Sequence, residues 1–237
     1  MTSAAERANK NAGDGGRLAL FIDLFKTWLL NFEVNSQIFV EIMNDEELPL
    51  SARTLAIGVL TYVLSPIDLI PEKLKVLRVV ALLDDVVVMI IGLGIIVPLM
   101  PESRREHYKG KYEAVAQISD YEETLKATLG ILWNRLVQFV EKLRQRSHKK
   151  RTTEEVAGSP ELREDLFDET MIYVANLNLD PEALDRELEA LPPPEKIIGL
   201  LASGIEEDRK RQEDVSIVSR SRSALRRVLP RGRENAE

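Results

Sequence analysis

The sequence predicts an all-α protein in which amphipathic helices surround one apolar helical hairpin. Apolar residues recur at three- and four-residue steps along most of the chain, which is the spacing of one buried helix face. No segment shows the alternation of apolar and polar residues that is typical of half-buried strands. Of the 237 residues, 44% are hydrophobic and 30% are charged. This ordinary globular balance excludes a wholly disordered chain.

The composition provides few residues for enzyme chemistry. The chain has no cysteine and only two histidines, which lie far apart, so it offers no disulfide framework, no thiolate zinc site and no cysteine nucleophile. The formal net charge of -7 argues against a broad nucleic-acid surface. We therefore expect a non-enzymatic protein with no cofactor and no nucleic-acid partner.

The first elements are a leader and an amphipathic region. Residues 1–16 contain three glycines among small polar residues and lack the apolar segment of a signal peptide, which predicts a flexible leader. Over about 17–43 the apolar spacing predicts one helix, or two helices broken near Asn35–Ser36.

The most apolar part of the chain predicts a hairpin over about residues 50–100. Thr54–Ile67 and Val86–Met100 contain no charged residue, but as helices each reaches only ~21 to 23 Å against a hydrocarbon core of ~30 Å. Lengthening the second run toward the N-terminus adds Asp84 and Asp85, each of which costs ~2.5 to 3.5 kcal/mol at a bilayer centre. Two interpretations stay open: a hairpin inserted in or re-entrant within a membrane, and a buried hairpin in a soluble helical protein.

A polar motif connects the two runs. Tyr62 is followed by Ser65-Pro66-Ile67-Asp68-Leu69-Ile70-Pro71, and Asp84-Asp85 opens the second run. This combination resembles the YkvA-like domain of unknown function, a bacterial helical family, over about residues 50–100. It departs from the family at Glu72, where an aspartate is usual, and in a longer connection without glycine before the Asp pair. The residues that match the family motif are Tyr62, Pro66, Asp68, Leu69, Ile70, Pro71, Asp84 and Asp85.

The resemblance implies a small, frequently membrane-associated helical module that has no established biochemical activity. We therefore expect residues 17–151 to form a YkvA-like helical domain in a bacterial protein.

The three motif aspartates have three interpretations. Asp68 has the spacing of a capping-box carboxylate after Ser65, and Asp84-Asp85 suits a helix N-terminus, so all three predict caps. Alternatively, Asp68 approaches Asp84 or Asp85 across the hairpin, and the cluster binds a hard cation. In the third interpretation the aspartates form ion pairs with Arg53, Lys73 or Arg78.

Basic residues flank the hairpin on both sides. The stretch 102–111 follows it directly, and the tip at 73–78 is almost as basic. This near balance disfavours two full membrane passes and favours a shallow hairpin with both basic groups on the cytoplasmic side. A solvated basic turn in a soluble protein is the other interpretation.

A seven-residue apolar repeat predicts one long amphipathic helix over about 115–146. Such a seam packs within the chain, or it binds a second copy or another protein as a coiled coil. Its residues, in two series offset by four, are Ile118, Leu125, Leu132 and Phe139, and Leu129, Leu136 and Leu143.

The remainder of the chain predicts a second, smaller unit. Residues 152–159 are expected to be a linker, 160–211 an acidic unit of three helices, and 212–237 a disordered basic tail. The helices of the acidic unit are expected to begin at Pro160, at Asp180-Pro181 and near Glu195.

These features predict a membrane-associated, non-enzymatic adaptor or scaffold on the cytoplasmic face of the inner membrane, with membrane lipids as partners. The alternative is a soluble helical protein-binding module whose core is the hairpin. A divalent-metal enzyme that uses Asp68, Asp84 and Asp85 is the third hypothesis, although no nucleophile, phosphate loop or histidine partner accompanies them.

Overall fold

The computed structural model describes residues 14–65, 69, 78–177, 179–191 and 196–211. These residues form helices together with one two-stranded antiparallel hairpin, so the predicted all-α class is confirmed. Residues 1–13 of the predicted leader and the whole predicted tail lie outside the described residues.

The elements follow one another through short connections. The helices are α1 (Asp14–Leu30), α2 (Phe32–Asn44), α3 (Leu50–Val63), α4 (Arg78–Ile96), α5 (Glu102–Lys111), α6 (Glu113–Ala116), α7 (Ile118–Leu129), α8 (Leu132–Lys142), α9 (Thr153–Gly158), α10 (Pro160–Leu177), α11 (Pro181–Glu189) and α12 (196–211). The remaining elements are 3-10 turns at Val97–Leu99 and Leu143–Gln145 and the strands β1 (Ser147–His148) and β2 (Arg151–Thr152).

The apolar hairpin formed by α3 and α4 lies at the centre of the fold. Helices α2, α9 and α10 pack on α3, while α1, α7, α8 and α11 pack on α4. The two hairpin helices approach closely at Gly92, where an added Cβ would lie 2.7 Å from Val59 Cγ2. The segment Leu82–Leu99 is long and apolar enough to cross a membrane, yet 83% of it is buried inside the fold. Its apolar surface is therefore covered by the chain's own helices.

The predicted long helix over 115–146 is wrong, because the segment is divided into α6, α7 and α8. Gly130 follows the end of α7 with a φ of 54°, in the positive-φ region that glycine adopts without steric cost. All seven residues of the predicted seam are nevertheless buried against the chain's own core. The seam thus packs within the chain.

The N-terminal amphipathic region forms two helices, but the break lies at Asn31 and not at Asn35–Ser36. Asn35 and Ser36 are buried inside α2 instead. The backbone N–H of Asn35 donates to the carbonyl of Asn31 at 2.8 Å, so helical hydrogen bonding resumes at once.

The region predicted as a linker, 152–159, contains α9. Thr152 and Glu155 form a capping box at its start, and Val156 and Ala157 are buried. As predicted, α10 begins at Pro160, and α11 begins at Pro181 after Asp180, whose Oδ2 accepts a hydrogen bond from the Ala183 N–H at 2.9 Å. Helices α10, α11 and α12 also contribute apolar side chains to the core that surrounds the hairpin, namely Leu166, Val174, Leu184, Leu188, Ile197 and Leu201.

Candidate site at the polar centre of the hairpin

The structure brings three motif residues together inside the protein. The hydroxyl of Tyr62 donates to Asp84 Oδ2 at 2.8 Å, and the backbone N–H of Leu69 donates to the same oxygen at 2.7 Å. The Leu69 N–H also lies 3.1 Å from the Tyr62 hydroxyl oxygen. At most 1% of any of the three residues is exposed. We call Tyr62, Leu69 and Asp84 the polar triad.

The two hairpin helices place the triad where the chain turns. Tyr62 lies in the last turn of α3, and Asp84 lies six residues after the start of α4 at Arg78. The prediction that Asp84 and Asp85 cap a helix is therefore wrong. Val79 and Val80, which precede the Asp pair, are buried. The apolar face of α4 therefore begins before Asp84, and the helix already begins at Arg78.

Asp85 faces a different helix. Its Oδ2 lies 3.5 Å from the hydroxyl of Tyr173 on α10, at the outer limit of a hydrogen bond, and only 4% of the residue is exposed. Asp84 thus joins the two helices of the hairpin, whereas Asp85 connects α4 to α10.

Burial and the nearby carboxylates change the acidity of both tyrosines. Burial, followed by the charges of Asp84 and Asp85, raises the pKa of Tyr62 well above its ordinary value. Burial and the same two charges also raise the pKa of Tyr173. Both phenols therefore stay protonated at neutral pH and can donate to the carboxylates. The arrangement stabilises buried carboxylates through hydrogen bonds from neutral groups.

Arg146 lies over the ring of one member of the polar triad, Tyr62. Its guanidinium lies 5.4 Å from the ring centres of both Tyr62 and Phe139, within the range of cation–π attraction. Arg146 Nη2 also forms an ion pair with Asp208 Oδ1 of α12 at 3.0 Å. Tyr62 is thereby connected to the last described helix through a single arginine.

Leu69 and Gly204 make a second contact with α12. A Cβ added at Gly204 would overlap the Leu69 backbone carbonyl, so only glycine allows the helix to approach this closely. Sequence reasoning missed Arg146, Gly204 and Asp208. The signal for Gly204 was a lone glycine inside a helical pattern, whereas the two charged residues lay in charged runs that gave no indication of a buried role.

The remaining motif residues, Pro66, Asp68, Ile70 and Pro71, lie outside the described residues, so the proposed cluster of Asp68 with Asp84 or Asp85 stays a prediction. Within the described part of the chain, no group of three or more His, Asp or Glu residues is arranged to hold a metal.

Arg53, one of the three basic residues considered as an ion-pair partner of the motif aspartates, donates hydrogen bonds to backbone carbonyls. Arg53 donates through Nε to the Met43 carbonyl at 3.1 Å and through Nη2 to the Ala157 carbonyl at 2.8 Å. Lys73 and the side chain of Arg78 lie outside what the structure describes.

The basic stretch after the hairpin makes ion pairs with acidic neighbours. Arg104 binds Asp45, with its Nε 2.8 Å from Oδ2, and Lys111 Nζ lies 2.6 Å from Glu41 Oε1. Arg105 forms an ion pair with Glu102 at 3.1 Å. Much of the positive charge that would attract anionic lipid headgroups is therefore compensated by acidic residues of the protein itself.

Comparison of the chain with models of known protein families, with curated proteins and with solved structures finds no match. The resemblance of residues 50–100 to the YkvA-like domain accordingly stays a prediction based on the motif.

Proposed function

We propose that the chain is a non-enzymatic, helical protein-binding module and that its apolar hairpin is its own core. The observation that carries this proposal is the burial of Leu82–Leu99, of which 83% is covered by other parts of the chain. A membrane-inserted hairpin would instead have to present its apolar side chains to lipid. A soluble protein with the hairpin as its core therefore accounts for this burial better than a hairpin inserted in a membrane does.

The polar triad supports a structural role for the motif. Asp84 Oδ2 accepts hydrogen bonds from two neutral donors, the Tyr62 hydroxyl and the Leu69 N–H. A buried carboxylate held in this way joins α3, the following turn and α4 at one point. This role favours a non-enzymatic scaffold over metal-dependent catalysis at the same residues.

A surface next to Trp28 supports the binding part of the proposal. Leu30 and Val34, on either side of the helix break at Asn31, are 45% and 44% exposed. Val34 also lines a cavity of about 70 Å³ together with Trp28 and Asn31. The Trp28 indole is 1% exposed, and its N–H has no acceptor among the described residues. A partner segment that packs an apolar side chain against Leu30 and Val34 would bury their exposed surface.

Peripheral membrane binding is a second candidate, favoured by one end of the hairpin. Leu50, at the start of α3, is 53% exposed, and Leu99, just after α4, is 36% exposed. Because α3 and α4 form a hairpin, the start of one and the end of the other lie at the same end. Two leucines at this end can enter a lipid interface without any spanning helix.

Fractionation of cells that express the full chain distinguishes these candidates. We expect the protein in the soluble fraction before any wash. Release by salt or carbonate would favour peripheral binding, whereas a requirement for detergent would contradict the proposal, since it would place the hairpin in the bilayer.

The partner surface is tested separately. A photocrosslinking residue at Val34 should capture a discrete partner in cells, and the captured band should disappear when Leu30→Asp is added. The same crosslinker at exposed Glu189 on α11 is the control. A band that persists unchanged in the Leu30→Asp variant would reject this surface as the binding site.

A further inference from the structure

A polar cavity of about 210 Å³ lies between α8 and α12. Helix α8 contributes Arg135, Gln138 and Lys142, which are exposed. Their spacing of three and four residues places them along one stripe of the helix. Helix α12 contributes the facing wall. The cavity is separate from the Trp28 surface, and its residues have no part in the proposed binding function.

The charges in the cavity do not cancel. Asp208 is paired with Arg146 at 3.0 Å, and Glu206 is paired with Arg209 at 2.6 Å. Each carboxylate of the lining is thus matched by its own arginine. Arg135 and Lys142 have no ion pair with any residue that the structure describes. The described part of the chain therefore leaves two positive charges on this helix face without an ion pair.

We propose that this cavity binds a phosphate monoester. A phosphate monoester carries a charge of about -1.5 to -2 at neutral pH and three acceptor oxygens. This charge balances the two cations, whereas the single negative charge of a carboxylate would balance only one. Arg135 can donate two parallel hydrogen bonds from its planar guanidinium, and Lys142 supplies a point charge. The Gln138 amide, which lies between them on the stripe, can donate to the third oxygen.

The apolar part of the lining suits the organic part of such a ligand. Phe139 and Ile205 line the same cavity, and Arg146 lies over the Phe139 ring. The phosphate can therefore contact the charged rim while a short carbon chain lies against Phe139 and Ile205. This combination selects an ester over inorganic phosphate.

Two sources supply a phosphate monoester: a small soluble metabolite and the headgroup of phosphatidic acid. The soluble source is tested by calorimetric titration of the full chain with propyl phosphate, with inorganic phosphate as the comparison and 1-propanol as the blank. The cavity variant combines Arg135→Gln with Lys142→Gln. The control variant combines Lys126→Gln with Arg151→Gln, which removes the same charge at exposed positions outside the cavity lining.

The lipid source is tested by cosedimentation with phosphatidylcholine vesicles that contain about one-fifth phosphatidic acid, or the same amount of phosphatidylserine. Before both assays, the helical content and melting temperature of the two variants are compared with those of the wild type to establish equal folding.

We expect saturable binding of the wild type and the control variant in at least one arm, with at least a tenfold weaker affinity for the cavity variant. In the vesicle arm, phosphatidic acid should be bound in preference to phosphatidylserine. The proposal would be overturned by an absence of saturable binding in both arms, by cavity-variant binding equal to that of the wild type, or by binding that occurs only in the vesicle arm and is equal for the two anionic lipids.

Discussion

The hydroxyl of Tyr62 donates to Asp84 Oδ2 at 2.8 Å across 22 residues of sequence. This hydrogen bond joins the end of α3 to the second turn of α4 inside the most apolar part of the protein. The Leu69 N–H reaches the same oxygen at 2.7 Å, so the connection between the two helices is held at the point where the chain turns.

Removal of the Tyr62 hydroxyl should destabilise the fold. In Tyr62→Phe the buried Asp84 carboxylate loses one donor while the aromatic packing is kept, which should lower the free energy of unfolding by about 1 to 3 kcal/mol. Urea denaturation measures this change. Tyr121→Phe is the matched control, because among the hydrogen bonds described the partly buried Tyr121 hydroxyl donates only to Gln117, the residue just before α7. This variant should cost less than about 1 kcal/mol. Equal losses in the two variants would contradict a special role for the triad.

The resemblance to the YkvA-like motif singled out Tyr62, Leu69 and Asp84, but the sequence did not predict that these three residues contact one another. The apolar runs indicated two packed helices, and the motif placed polar residues where they meet. The start of α4 could not be read correctly, because Asp84-Asp85 before an uncharged run has the pattern of a helix N-terminus. Only the packing of Val79 and Val80 into the core shows that the helix begins earlier.

Gly204 allows α12 to approach the triad, so a larger residue there should displace the helix. In Gly204→Ala the added methyl would overlap the Leu69 carbonyl, and backbone cannot move aside as a flexible side chain can. We expect faster hydrogen exchange across α12 and a lower melting temperature. Gly199→Ala, in the same helix with nothing within 4 Å of the added Cβ, should instead stabilise by about 0.5 to 1 kcal/mol. Gly204→Ala should lower the stability of the protein, and Gly199→Ala should raise it. A similar gain in stability in both variants would show that the contact with Leu69 is absent.

Glu122 should make the stability of the protein depend on pH. Burial raises the pKa of Glu122, and Lys126 partly opposes that rise. Because the folded-state pKa lies above the unfolded one, the ionised carboxylate destabilises the fold. Its contribution to the free energy of unfolding falls as the pH rises from the ordinary glutamate pKa of about 4.3 through the raised folded value.

Glu122→Gln should therefore be more stable than the wild type at pH 8, and this advantage should shrink toward zero as the pH is lowered through that range. Urea midpoints of both proteins across the pH range measure the difference. An advantage that is the same at both ends of the range would show that the side chain's charge is not the cause.

The turn between β1 and β2 contains two strained lysines. Lys149 and Lys150 have φ values of 46° and 69°, in the left-handed region that costs a non-glycine residue about 1 to 2 kcal/mol. After allowance for the flexibility of glycine in the unfolded chain, Lys150→Gly should stabilise by about 0.5 to 1 kcal/mol. Arg151→Gly, in the extended strand β2, should not stabilise. Thermal denaturation distinguishes the two, and a loss of stability in Lys150→Gly would contradict the turn geometry.

The break at Gly130 shows why the length of the helix over 115–146 was mispredicted. The seven-residue spacing of apolar residues continues through the turn, so α7 and α8 both bury their seam residues although the helix is interrupted. A glycine within a helical pattern lowers helix propensity by only about 1 kcal/mol. The local sequence alone therefore does not show whether the helix continues through this glycine.

The central claim, that the hairpin is the core of the protein and not a membrane anchor, is tested most directly by cysteine accessibility. The chain has no native cysteine, so one introduced thiol reports on a single position. Met89→Cys lies in α4 with 0% exposure, and Ile131→Cys is the control at 96% exposure. We predict that both variants purify without detergent and that Ile131→Cys reacts at once with a water-soluble maleimide. Met89→Cys should react only in the urea range in which the helical circular dichroism is lost. A protein that can be recovered only in detergent, or a Met89→Cys thiol that reacts in the absence of urea as fast as that of Ile131→Cys, would contradict the claim.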